Sequence, residues 1–286
     1  MATTEHPALR FRAPGSIVKG TALADMMDAR LVGLIAESVS AVQPGFDATG
    51  FRRAAGRGLT AKPLMERARH IGDALGDRLP TTPAALADAL VASLGPPLSG
   101  TEGFGLAVFF YLPHVCLIGS RLSEEVEPGL RANYAVTRRF SAEYSIRHLL
   151  LRHQEAVLAA LTSWTTDPDP HVRRLVSEGT RPRLPWGLRL HPFVRDPSPT
   201  LPLLDALKDD VALYVRRSVA NHLADIAKDH PTLAFATARR WLDEAALLAP
   251  ERAAARRWIV RHAIRLPAKQ GVAAAVRLRR DANGRG

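Results

Sequence analysis

A basic motif recurs in the second half of the chain. It reads Val172-Arg173-Arg174-Leu175-Val176, then Val215-Arg216-Arg217-Ser218-Val219, then Ala255-Arg256-Arg257-Trp258-Ile259. The offsets between the arginine pairs are 216 − 173 = 43 and 256 − 216 = 40 residues. Spacings of roughly 40 to 47 residues belong to repeats built from helix pairs. The first two copies follow Asp167-Pro168-Asp169-Pro170 and Lys208-Asp209-Asp210. Proline and carboxylates suit a helix start, where unpaired N–H groups and the macrodipole favour negative charge. Between the motifs lie paired helical patterns, Leu201 to Leu207 with Leu213 to Lys228, and Thr232 to Leu248 with Glu251 to Leu266. Each pair has one apolar face and needs a neighbour to bury it. We therefore read a stacked α-solenoid with a concave binding face rather than a non-repeating bundle.

The first half adds helical patterns at about 17–42, 59–78, 82–94, 104–118, 121–131 and 133–152. No stretch sustains the alternation of a strand, so the fold class is all-α. Leu94 to Gly105 is a loop, because its glycines and adjacent prolines cannot continue a helix. The domain reading is a flexible N-terminal arm at 1–15, a single α-solenoid domain at 16–268, and a basic C-terminal tail at 269–286. That tail ends in Arg277, Arg279, Arg280 and Arg285.

With 39 basic against 28 acidic residues the net charge is +11. Five of the basic residues are lysines (Lys19, Lys62, Lys208, Lys228 and Lys269) and 34 are arginines. Such a balance points to a polyanion, most often nucleic acid. An arginine preference set by the genome is the alternative source. A lone cysteine, Cys116, excludes an intramolecular disulfide and a cysteine-based zinc cluster. The N-terminus lacks the apolar segment of a secretory signal. The longest apolar run, Phe104 to Ile118, carries Pro113 and is too short to span a bilayer. The expectation is a cytoplasmic monomer with no membrane partner. Phosphate-loop, zinc-protease and nucleophile-elbow motifs are absent, and the histidines show no ligand spacing. No metal and no cofactor are expected.

Three carboxylates stand out in the Arg-rich centre. Val136, Phe140, Glu143, Arg147 and Leu150 are spaced as one helix stripe, which sets Glu143 among apolar side chains. A buried charge needs a partner, and Arg147 is the local candidate. Glu178 and Asp225 fall roughly 110° and 105° from the centres of their helices' apolar faces, at the edges. For Glu178 the bland reading is a pair with Arg174; for Asp225 it is an ordinary surface position. Between them lies Glu178 to Phe193, a segment with Pro182, Pro185 and Pro192 that cannot be a regular helix. Trp186 in that segment is either a cap on the core or a platform for a base. Arg181, Arg183 and Arg189 around it suit phosphates.

Three stretches resemble the AlkC branch of the AlkC/AlkD-type DNA alkylation-repair glycosylases. They are Phe140 to Leu150, Val172 to Leu190 and Tyr214 to Pro231, and Arg69 to Pro80 also fits. The resemblance covers roughly residues 20–265, and Ser177 to Trp186 is its most specific part. It implies a HEAT-like right-handed α-superhelix with a concave groove that cradles double-stranded DNA. It implies metal-free excision of N-alkylated bases such as 3-methyladenine, with 3-methylcytosine and 7-methylguanine as further candidates. By motif position Asp225, Glu143 and Glu178 are the implied catalytic carboxylates, and Trp186 the aromatic near the lesion. Arg174, Arg181, Arg183, Arg217 and Asn221 are the expected substrate-binding residues around them. His148 departs from the family pattern, which usually has proline there. The immunoglobulin-like domain that many relatives carry is not among these 286 residues. The alternative is a non-catalytic repeat protein that binds nucleic acid or senses lesions, which would keep the arginines without needing all three carboxylates. A protein-binding scaffold gripping an acidic peptide is a third reading.

Overall fold

The computed structural model describes residues 5–284, and among them there are helices and turns but no strands. Contacts divide the chain into two compact units, 1–160 and 161–286, where the sequence suggested one continuous domain. No helix among the described residues is long and apolar enough to cross a membrane.

In the first unit the α-helices are α1 (Ala29–Ser40), α2 (Ala48–Gly56), α3 (Leu64–Gly76), α4 (Pro83–Ser93), α5 (Leu112–Arg121), α6 (Val126–Thr137) and α7 (Ile146–Arg152). A further helix, α8 (Gln154–Trp164), runs through the boundary in sequence. Asp28 starts α1 by accepting from Leu31 N at 2.8 Å, which places the helix start later than the apolar pattern alone implied. Asp47 does the same for α2 through Gly50 N. That helix escaped the sequence reading because its nine residues hold two glycines and bury only Gly50, Phe51 and Ala55. The axes of α3 and α5 approach closely at Gly72, where an added Cβ would sit 2.6 Å from the Pro113 carbonyl oxygen. Within the segment read as an arm, Pro7–Arg10 forms a 3-10 turn and Phe11 is buried against Phe110.

The expected helix 133–152 is broken. Helix α6 stops at Thr137, and α7 resumes at Ile146. Thr137 Oγ1 accepts from Ala142 N, and Ser145 Oγ donates to the Ala142 carbonyl at 3.2 Å. These hydroxyls offer the backbone partners other than its own helix ladder.

The second unit continues with α9 (Pro170–Gly179), α10 (His191–Arg195), α11 (Leu201–Leu207), α12 (Leu213–Asp229), α13 (Pro231–Ala245), α14 (Pro250–Ala263), α15 (Arg265–Lys269) and α16 (Ala273–Ala282). Here α9 packs on α12 and α12 on α14, while α11 to α14 each touch the next helix in sequence, as the paired patterns led one to expect. The segment read as a tail contains α16, which packs on α13, α14 and α15 and buries Ala275, Leu278 and Ala282. Their spacing of three and four residues supplies an apolar stripe despite the surrounding arginines. Arg285 lies outside the described residues.

The arginine pairs divide their labour. Arg173 Nη1 donates to the carbonyls of Asp167 and Pro168, and Arg216 Nη1 to those of Asp210 and Val211. Arg173 and Arg216 thus hold the turns that lead into their own helices. Arg173 also forks onto Asp210, at 2.6 and 3.0 Å. Arg256 is fully buried and binds the Trp241 carbonyl, Asp209 and Glu244. Of the second arginines, Arg217 is exposed and Arg257 more open than Arg256, whereas Arg174 is about as covered as Arg173.

Candidate active site

Helices α9 and α12 carry facing polar stripes. Asp169 caps α9 by accepting from His171 N at 2.8 Å, and Pro170 occupies its first turn. Val172, Leu175 and Val176 turn inward. This leaves Arg174 and Glu178 on one flank, four residues apart. Thr180 ends the helix by donating to the Val176 carbonyl at 2.7 Å, and the chain brings Arg181 back over the end. On α12 the inward residues are Val215, Val219, His222, Leu223 and Ile226. Tyr214, Ser218 and Asp225 then fall along one flank, at intervals of four and seven.

The two stripes meet residue by residue. The Arg174 guanidinium lies over the Tyr214 ring at 5.3 Å. Ser218 Oγ donates to Glu178 Oε2 at 2.6 Å. Arg181 bridges the carboxylates, Nη1 donating to Glu178 Oε1 at 2.6 Å and Nε to Asp225 Oδ2 at 2.7 Å. Lys228 Nζ donates to the other oxygen of Asp225, also at 2.7 Å. Asp225 is only 1% exposed and Glu178 only 6%. The wheel placed both at the edge of their helices, and the structure corrects that. A residue beyond the helix end, Arg181, covers them, and no wheel drawn on one helix contains it.

Electrostatics follow the geometry. Burial alone would raise the Glu178 pKa, but the Arg174 and Arg181 charges, with the Ser218 and Arg181 hydrogen bonds, outweigh it and hold the carboxyl below its ordinary range. Arg181 is buried too, yet Glu178 and Asp225 keep it firmly charged. Beneath the cluster His222 lies 3.0 Å by its Nδ1 from the Ser177 carbonyl oxygen and ties α12 to α9. Burial first, and Arg181 second, push its pKa down to about 4, against the pull of Asp225 and Glu178. It is a neutral imidazole.

Glu143 stands apart in kind. It belongs to the first unit and occupies the turn between α6 and α7, so the stripe through Phe140 and Arg147 does not exist as one helix. Glu143 Oε2 accepts from Ser141 Oγ at 2.8 Å. Arg147 is fully buried on α7.

Trp186 is not a cap on the core. Its side chain is 71% exposed, and it is the residue other than glycine with a positive φ, 61°, among those described. Gly187 N bonds to the Leu184 carbonyl at 3.2 Å, closing a turn with Pro185 second and Trp186 third. Glycine or asparagine usually fills such a left-handed third position. For tryptophan the strain is about 1–2 kcal/mol. Buried Leu184 and Leu190 anchor the segment at either side. Trp186 lines a cleft of about 630 Å³ with Arg183, Arg189, Lys228 and Asp229.

Of the other expected binding residues, Arg183 is paired with Asp229 at 2.6 and 2.8 Å. Arg217 is exposed on α12, and Asn221 Oδ1 lies 3.0 Å from His262 Nε2 on α14. Sequence reasoning missed Lys228, Ser218 and His222. Lys228 was findable at three residues from Asp225; Ser218 and His222 depend on α9 facing α12. Among the described residues no three His, Cys, Asp or Glu side chains are grouped to hold a metal ion.

No protein-family model matches the chain. A solved structure does: Pseudomonas fluorescens alkylpurine DNA glycosylase AlkC bound to DNA containing an abasic site analog. The two align with a TM-score of 0.79 and 36% sequence identity, over 91% of this chain and 68% of that one. The chain belongs to the AlkC family. Uncharacterized protein YhaZ of Bacillus subtilis (strain 168) is 42% identical over 145 residues, which is 51% of this chain. That match spans only 38% of YhaZ. Within the AlkC-family frame, the cluster of Glu178, Arg181 and Asp225 and the Trp186 cleft all lie in the second unit.

Proposed function

We propose that this AlkC-family chain is a monofunctional DNA glycosylase of alkylation repair. It hydrolyses the N-glycosidic bond of cationic N-alkylated bases in duplex DNA, with 3-methyladenine the first candidate and 3-methylcytosine and 7-methylguanine the others. The observation that carries this reading is the likeness to an alkylpurine DNA glycosylase over nearly the whole chain. Two carboxylates bridged by Arg181, with Lys228 linking Asp225 to the cleft that Trp186 lines, supply chemistry that fits it.

An N3- or N7-alkylated purine is a cation, and its glycosidic bond is already weak. The base leaves neutral, so no strong general acid is needed. What accelerates the step is negative charge near the sugar, where an oxocarbenium ion develops, and a group that orients water. Fixed charges aimed at a developing charge are often the largest catalytic term. In this reading Asp225 orients water and stabilises the sugar cation, while Glu178 favours the cationic base; for Glu143, in the first unit, a catalytic role rests on motif position alone. Trp186 offers an aromatic face to the lesion, and Arg174, Arg181, Arg183, Arg217 and Asn221 surround it. The protein acts as a cytoplasmic monomer.

The test is release of free bases from methylated duplex DNA by the purified protein. Wild type releases 3-methyladenine, and Asp225→Asn, still folded, is slower by about 10²- to 10³-fold, the range for removing one preorganised electrostatic group. Salt-sensitive DNA binding with no base released would instead indicate a lesion-binding protein.

A further inference from the structure

Asp225 is blocked where its proposed task needs it open. One oxygen is held by Arg181 and the other by Lys228, and the carboxylate is almost fully buried. The two cations differ. Arg181 has a side chain only 10% exposed and also grips Glu178, so its fork is fixed from two sides. The Lys228 side chain is 49% exposed, and it reaches Asp225 by the ammonium alone. That residue also lines the Trp186 cleft, near Arg183, Arg189 and Asp229. Arg183 is occupied by Asp229, whereas Arg189 is exposed and makes no ion pair among the described residues. The cleft thus presents Arg189 and Lys228 to an arriving anion. In a chain with 34 arginines and 5 lysines, the cation on Asp225 Oδ1 is a lysine. A lysine is a point charge on a flexible stem and can change partners, whereas an arginine fork holds a carboxylate by two parallel bonds.

We propose that Lys228 is a phosphate-binding residue of this site that covers Asp225 in the free protein and uncovers it when DNA arrives. A backbone phosphate entering the cleft takes the ammonium from Asp225 Oδ1. The side chain swings outward, and the freed oxygen becomes available to water. Arg181 stays in place and keeps Asp225 aligned with Glu178. No bond is made or broken; one ion pair is exchanged for another. The proposal rests on the glycosylase reading for what Asp225 does once uncovered.

The experiment measures binding to a short duplex carrying an abasic-site analogue across a salt series. It compares wild type, Lys228→Met and Lys228→Arg, with Lys269→Met as the control for loss of one exposed charge. One lost phosphate contact lowers the slope of log K against log salt by about 0.9 and weakens binding roughly eightfold at about 0.1 M salt. Lys228→Met shows that change; Lys228→Arg and Lys269→Met keep the wild-type slope. Single-turnover base release by Lys228→Arg is slower than wild type at saturating protein, because the fork releases Asp225 less readily. Parallel slopes for wild type and Lys228→Met overturn the phosphate role, and an equal change in Lys269→Met does the same. A full rate in Lys228→Arg overturns the covering role. A shifted slope with no base released by wild type supports Lys228 on phosphate and overturns the glycosylase reading. Absence of any binding by wild type overturns both.

Discussion

Arg181 sits between two buried carboxylates, so its loss strands negative charge. Glu178 would keep Arg174 and Ser218, and Asp225 would keep Lys228. Removing one partner from a buried ionic group costs about 3–5 kcal/mol, and the remaining contacts put Arg181→Met at the lower end. Chemical denaturation checks this; a loss under about 1 kcal/mol would mean that the bridge contributes little. Two fully buried histidines set a different dependence. Burial pushes His114 and His222 down to about 4, from 6.5. The folded values are depressed, so between those limits the unfolded chain binds more protons. Stability is complete above about pH 6.5 and falls as pH drops toward 4, by up to about 3 kcal/mol per histidine. Among the described residues His114 has no hydrogen-bond partner on either nitrogen, and it stacks on Phe110. His114→Phe therefore shrinks the loss of Tm between pH 7 and pH 5. An unchanged loss would place the acid sensitivity elsewhere. Burial also raises the Cys116 thiol to about 12, so a thiol reagent at neutral pH labels it more slowly in the folded chain than after unfolding.

At the scale of single elements, the turn at Trp186 sets stability against function. Trp186→Gly removes a left-handed tryptophan, and glycine tolerates that conformation. The variant is expected to gain about 1 kcal/mol or less, since glycine also loosens the unfolded chain, while base release falls. A drop in Tm would mean that the exposed ring packs more than its 71% exposure suggests. Among the repeated arginines, Arg173→Ala loses stability because it holds a turn and Asp210. Arg217→Ala keeps its Tm and loses DNA affinity. The motif spacing made the repeat legible, but both arginines looked alike. Their division depends on the turn carbonyls of Asp167, Pro168, Asp210 and Val211, which the motif does not contain. The same limit explains Glu143. Its spacing with Val136 and Leu150 is helical, yet Thr137 and Ser145 side chains compete for the backbone and end α6 early. Apolar spacing reports a face only where the helix persists.

For the whole chain, the helical class and the order of helices from 201 onward were legible because each apolar stripe lies within one element. The division into two units was not, since contacts across sequence distance decide it. Nor was the packing of α16, whose alanines read as a tail among arginines. The site was half legible. The resemblance implied Glu178, Asp225, Trp186 and Glu143 for the candidate site, and Arg181 was read as a phosphate ligand; its place between Glu178 and Asp225, and the burial of both carboxylates, follow from the turn after α9. The excess of positive charge predicts DNA binding that weakens steeply with salt, at all sequences alike. Charge does not distinguish an enzyme from a binding protein. Single-turnover release of 3-methyladenine from methylated duplex DNA does, with wild type beside Asp225→Asn and Glu178→Gln of matched Tm. Release by wild type and a loss of at least about 10²-fold in Asp225→Asn are expected. Equal rates in wild type and Asp225→Asn would overturn the glycosylase reading of this site.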